Sequence, residues 1–106
     1  MASLIDWEYL AALSGGDREF EQELLQTFID DAQLRLNSLM AAVASENLEQ
    51  IKRDAHHLKG SSGNVGITAM QTVAAELEQQ TNLAAAQPLV EKLHQLYSSV
   101  TSEVAV

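Results

Sequence analysis

The sequence predicts an all-α fold: an antiparallel up-down four-helix bundle with a short additional helix at its N-terminus. Three observations carry this. Apolar residues recur at three- and four-residue steps through most of the chain. No segment sustains the period-two alternation of a half-buried strand. The breaks between the periodic runs are only a few residues long, which makes successive helices antiparallel neighbours.

The first element spans residues 3–13, where Leu4, Trp7, Leu10 and Leu13 line one side. Ser3 is placed to cap it, with Asp6 in the capping-box position three residues on. Ser14-Gly15-Gly16 breaks this helix, and Asp17 caps the next. Residues 18–44 hold the longest run: Leu25, Phe28, Ile29, Ala32, Leu36, Leu39, Met40 and Val43 face inward, and Glu19, Glu21, Glu23 and Asp30 favour water. Asp17, Glu19 and Glu21 also suit the positive end of that helix dipole.

Ala44-Ser45-Glu46-Asn47 reads as the next connection. Leu48, Ile51, Ala55 and Leu58 form the buried stripe of a third helix, closed by Asn64-Val65-Gly66, where Asn and Gly tolerate the left-handed conformation. Ile67, Met70, Val73, Ala74 and Leu77 mark a fourth helix ending near Gln80-Thr81-Asn82. The last begins near Leu83 or Ala84, with Pro88 in its first turn or at a local irregularity. Leu89, Leu93, Leu96, Tyr97 and Val100 supply its inward face, and the tail after Thr101 is expected to fray. At 106 residues the chain suits one core, so residues 1–106 are read as a single domain, with the short first helix as a lid at one end.

Composition narrows the function. Six Lys and Arg stand against fifteen Asp and Glu, a formal charge of −9 that repels nucleic acid and anionic lipid. With no cysteine, disulfide and thiolate chemistry are excluded. Met1 to Asp6 has neither a basic stretch nor an apolar run, and no window approaches a membrane span, so the expected location is cytoplasmic. His56 and His57 are adjacent rather than four apart, His94 is remote in sequence, and no metal site or bound cofactor is expected.

The chemistry concentrates in Ala55-His56-His57-Leu58-Lys59-Gly60-Ser61-Ser62. A neutral imidazole nitrogen is a nucleophile, and a phosphoryl group placed on it needs local positive charge. Lys59 lies three residues after His56, on the same side of the helix and beside the buried stripe. Gly60, four residues after His56, disfavours helix by about 1 kcal/mol relative to alanine, but leaves open space below the imidazole for a partner's active site. Gly63 extends the small surface, and Ser61 or Ser62 is available to donate a hydrogen bond. His57 points about 100° away from His56, and is read as a partly packed neighbour rather than the acceptor.

These residues resemble the histidine-containing phosphotransfer (HPt) domains of multistep two-component phosphorelays. The family pattern of alanine, phosphorylated histidine, a variable residue, an apolar residue, lysine, glycine and small residues matches Ala55 through Ser62. Asn64-Val65-Gly66-Ile67, the entry from Leu4 to Asp17, the set Phe20, Leu24, Leu25 and Phe28, and the pair Leu77-Glu78 extend the likeness over nearly the whole chain. The resemblance implies that His56 accepts a phosphoryl group at Nε2 from a receiver-domain aspartate and passes it to another. It implies partners among response-regulator receivers and hybrid histidine kinases, with Mg2+ held by the receiver and no autonomous kinase activity here.

Some members carry glutamine, hydrogen-bonded near the imidazole, at the position of Glu78. Glu78 is read first as a solubilising or helix-pairing residue, with orientation of His56 as the alternative. A docking receiver needs an apolar anchor, for which Val65 and one of Leu24, Leu25 and Ile29 are candidates. A kinase-fed phosphoacceptor of the chemotaxis type and a non-phosphorylated adaptor bundle are the competing functions.

Overall fold

A computed structural model describes residues 3–104. Five helices and no strands occur among them: α1 (Trp7–Ser14), α2 (Arg18–Ala44), α3 (Leu48–Asn64), α4 (Thr68–Glu78) and α5 (Leu83–Val104). α2 packs on α3, α3 on α4, α4 on α5 and α5 back on α2, which closes the four-helix bundle, and α1 leans on α2. The long axis of 43 Å is close to the length of α2 alone, since 27 residues rising 1.5 Å each span about 40 Å.

Helix starts follow local capping chemistry. Asp17 Oδ1 accepts the Phe20 N–H at 3.1 Å, Asn47 Oδ1 the Gln50 N–H at 3.1 Å, and Asn82 Oδ1 the Ala85 N–H at 2.9 Å. α1 differs from expectation. Its cap is Asp6, whose Oδ1 accepts the Tyr9 N–H at 3.0 Å, so the helix begins at Trp7. Ser3 lies outside the helix and hydrogen-bonds to Glu103, whose carboxylate also accepts the Leu4 N–H and the Trp7 indole N–H, each at 3.0 Å. That clasp holds the end of α5, which continues to Val104 rather than fraying after Thr101. Residues 1, 2, 105 and 106 lie outside the described part, and with them the start of the segment read as lacking a signal peptide and the last of the tail.

The core runs the length of the bundle through Leu25, Leu36, Ile51, Leu58, Met70, Leu77 and Leu93, all fully buried. Four sequence expectations change on packing. Met40 is 56% exposed, on the rim of a groove between α2 and α5. Glu21, expected in water, is buried beneath α1 and accepts a hydrogen bond from Ser14 Oγ at 2.7 Å. Along α5 the stripe is Ala86, Val90, Leu93 and Val100, while Leu89, Leu96 and Tyr97 are half-buried around it. α4 stops at Glu78, before the expected Gln80.

Pro88 is the sixth residue of α5, inside the helix rather than in its first turn. The helix continues through it with one intrahelical hydrogen bond missing. Between α3 and α4, Gly66 adopts φ +75, and a Cβ there would sit 2.7 Å from the Tyr9 ring. Both the backbone and the approach of α1 therefore require glycine at this turn.

Candidate functional site

α3 is the element that presents the site. Ile51, Ala55 and Leu58 anchor one side of it in the core, and at 100° per residue this turns His56 outward. The His56 side chain is 70% exposed. Its Nδ1 lies 2.6 Å from Oε2 of Glu78, the last residue of α4, and Lys59 Nζ donates to Oε1 of the same carboxylate at 2.6 Å. One carboxylate thus bridges the histidine and the lysine.

The protonation state follows from this bridge. The Lys59 hydrogen bond, then that from His56, holds the Glu78 carboxyl below its ordinary value, against a smaller opposing effect of burial. An ionised carboxylate only accepts, so the proton in the short contact belongs to His56 Nδ1. In the neutral ring the lone pair is then on Nε2, which has no hydrogen-bond partner among the described residues.

His57 is held from the other side. Its Nε2 donates to Asp31 Oδ2 of α2 at 2.6 Å, and both side chains are 37% exposed. The two adjacent imidazoles are therefore tied by carboxylates from opposite neighbouring helices, through different ring nitrogens.

The small residues divide by function. A Cβ at Gly60 would meet nothing within 4 Å, so this position is open beside the histidine. A Cβ at Gly63 would lie 2.6 Å from the amide of Gln71, the movable end of an exposed α4 side chain, so this position faces α4. Ser62 is buried and its hydroxyl donates to the Leu58 carbonyl at 2.5 Å, which withdraws it from the imidazole. Ser61 Oγ also turns back to that carbonyl, at 3.4 Å. Glu78, read first as solubilising or helix-pairing, is only 21% exposed and does pair α4 with α3, through contacts to both His56 and Lys59.

Sequence reasoning missed the support behind the site. Asp54 is fully buried and accepts from Ser38 Oγ at 2.6 Å, Gln50 Nε2 at 3.2 Å and Arg35 at 3.5 Å. Its place three residues after Ile51 and four before Leu58, on the buried stripe, was the available signal. Arg35, Lys52 and Arg53 line the shallow cleft that includes His56 and His57. Among the described residues, no cluster of three or more His, Asp or Glu side chains is arranged to hold a metal ion.

Residues 23–103 match the family described as the Hpt domain. The chain belongs to the Hpt domain family. This Hpt domain is similar to histidine-containing phosphotransfer protein B (HptB) from Pseudomonas aeruginosa PAO1, with 27% identity and a TM-score of 0.85 over 99% of this chain and 94% of that one. It shares its fold with the HPT domain of a sensor hybrid histidine kinase from Shewanella, with a TM-score of 0.81 at 19% identity over 96% and 91% of the two chains. It is also 30% identical over 73 residues to the phosphorelay intermediate protein rdeA of Dictyostelium discoideum, matching 69% of this chain but only 29% of that protein's length. Hpt domains act as phosphotransfer intermediates without independent catalytic activity, and they interact with receiver and hybrid kinase domains. No helix among the described residues is long and apolar enough to cross a membrane.

Proposed function

We propose that residues 1–106 work as a single cytoplasmic relay domain in which His56 takes a phosphoryl group from a receiver aspartate and gives it to another receiver. The observation that carries this reading is the pairing of His56 Nδ1 with ionised Glu78, which leaves Nε2 as the exposed nucleophilic nitrogen. His57 is disfavoured because its own Nε2 is engaged by Asp31. Lys59 keeps further ammonium protons for the phosphoryl oxygens, and Gly60 leaves room for the incoming active site. Positioning and charge are this domain's contribution; the receiver brings Mg2+ and the aspartate.

The docking face has two parts. α3 carries three cations, Lys52, Arg53 and Lys59, against Glu49 and a buried Asp54 paired with Arg35, in a chain of net charge −9. This local excess favours a partner with an acidic rim around its aspartate. Tyr9, Leu13 and Phe20 are the exposed large apolar residues at the α1 end, and Phe20, Leu24 and Asp31 follow one face of α2 toward His57. They replace Val65 and Leu25 as candidate anchors, because those two are buried in the core, while Leu24 and Ile29 remain half-exposed.

The test is transfer from phosphorylated receivers, read by intact mass and phosphate-retention gels, on wild type, H56Q and H57Q with folds checked by circular dichroism. Phosphate is expected on wild type and H57Q and not on H56Q. Transfer that survives in H56Q, or phosphate arriving only from an ATP-fed kinase, overturns the proposal.

A further inference from the structure

Glu78 has a consequence for the phosphorylated state that rests on the reading of His56 as acceptor. When Nε2 attacks the aspartyl phosphate, the N–P bond forms and the P–O bond breaks with its electron pair returning to the aspartate. The ring keeps its Nδ1 proton and becomes a phosphoimidazolium. Onward transfer breaks N–P with the pair returning to Nε2. If Nδ1 is still protonated, the leaving group is neutral imidazole. If that proton has been lost, the leaving group is imidazolate, a far stronger base and a far poorer leaving group.

We infer that Glu78 is a positioning residue that keeps phosphorylated His56 protonated at Nδ1, and so holds the phosphoryl group in its readily transferred form. The carboxylate is in place at 2.6 Å from Nδ1. It is only partly exposed, and Lys59 on its other oxygen keeps it ionised. The surrounding groups do not do the same work. Lys52, Arg53 and Lys59 of α3 and Arg35 of α2 are cations that oppose a ring proton. Asp31 is engaged by His57, and Glu49 lies on the cleft rim more than one helical turn before His56. A neutral glutamine at position 78 could accept the same hydrogen bond but would not stabilise the ring's charge.

The experiment measures the pH dependence of phosphoryl loss and of transfer to a receiver, from pH 6 to 9, for phosphorylated wild type, E78Q and E78A. Nitrogen-15 NMR follows the Nδ1 proton. A carboxylate partner raises an imidazolium pKa by about 1–3 units, so both variants should move the midpoint of lability at least about one unit lower. Transfer near pH 8 should slow by about tenfold, the equivalent of one such unit. Losing Glu78 also frees Lys59, a cation that itself opposes the ring proton, so K59M and K59M/E78Q are measured alongside, and a midpoint that E78Q still lowers on the K59M background is the deciding readout. Profiles that superimpose on wild type overturn the role of Glu78 and leave the acceptor reading standing. If folded wild type takes no phosphate from competent receivers, both fall together.

Discussion

Gly60→Ala is expected to stabilise this domain, and larger side chains at the same position are expected to impair its function. Gly60 lies inside α3 with ordinary helical backbone, and a Cβ added there meets no atom within 4 Å. Nothing in the folded chain opposes the substitution. The full difference in helix propensity is therefore available, about 0.5–1 kcal/mol in favour of alanine. For a domain of this size that corresponds to a rise in melting temperature of about 2–5 °C. The same open space lies one turn from the exposed His56, where the proposed transfer would bring a receiver aspartate to Nε2. Gly60→Leu fills it with a branched side chain, and a displacement of about 1 Å in a reacting pair slows the chemistry by about 10²-fold. Thermal melts by circular dichroism and initial rates of phosphate uptake from one phosphorylated receiver measure the two effects on the same samples. A fall in melting temperature for G60A means that the position is not free. Uptake at the wild-type rate by folded G60L means that the space does not serve docking.

Three further outcomes follow from the same geometry. Asp54→Ala removes a fully buried acceptor shared by Ser38, Gln50 and Arg35; with the 38% exposed Arg35 discounted, a loss of about 2–3 kcal/mol is expected in urea melts, and a change under about 0.5 kcal/mol contradicts this account. Partial burial raises the Glu103 carboxyl, but hydrogen bonds from Ser3, Leu4 and Trp7 outweigh it and leave it below the ordinary 4.5. A depressed carboxyl contributes stability that is present above the ordinary value and is lost as pH falls through the lower folded one, so E103Q should destabilise at pH 6 and much less at pH 3; an equal effect at both, read by Trp7 fluorescence, removes the clasp from the argument. Charge reversal at Lys52 and Arg53 should slow association with an acidic receiver by about tenfold or more at low salt and weaken its salt dependence; an unchanged salt slope means that these cations do not face the partner.

Much of the fold was legible because the periodic runs are long and their breaks chemically distinct. Asp17, Asn47 and Asn82 sit where short polar side chains cap helices, and Gly66 where the chain must turn left-handed. Periodicity was weaker on which face of each helix lies deepest. On α5 it favoured Leu89 over Val90, because leucine is as apolar as valine and only the angle to α2 and α4 decides between neighbours. The N-terminal boundary moved from Ser3 to Asp6 because Ser3 finds Glu103, a partner 100 residues away that no local rule anticipates. Within the site, His56, Lys59 and Gly60 belong to one helix, so their spacing alone places them on one side of it. Asp31, Arg35 and Glu78 belong to other helices, and their contacts depend on how α2 and α4 settle against α3.

The two adjacent histidines show what tertiary structure adds to a motif. Both are imidazoles, both are at least partly exposed, and both have a carboxylate at 2.6 Å. Composition makes them equivalent, and local sequence separates them only through Lys59 and Gly60, which follow on the His56 side of the helix. Their difference comes from the 100° turn between successive helical residues, which sends one ring toward α4 and the other toward α2. Glu78 meets the first at Nδ1, and Asp31 meets the second at Nε2. The outer nitrogen is therefore left bare on His56 and covered on His57. Exchanging the two carboxylate contacts would exchange which ring presents a bare Nε2 without altering either histidine. For this reason E78Q and D31A are more informative together than either histidine substitution alone, since alanine, unlike asparagine, leaves nothing to cover His57 Nε2. If nitrogen accessibility selects the acceptor, D31A should make His57 available as a minor second site of phosphate incorporation, detected on the H56Q background by intact mass. If folded H56Q/D31A stays unphosphorylated, an open Nε2 is insufficient, and the Lys59–Glu78 pair beside His56 must also be required.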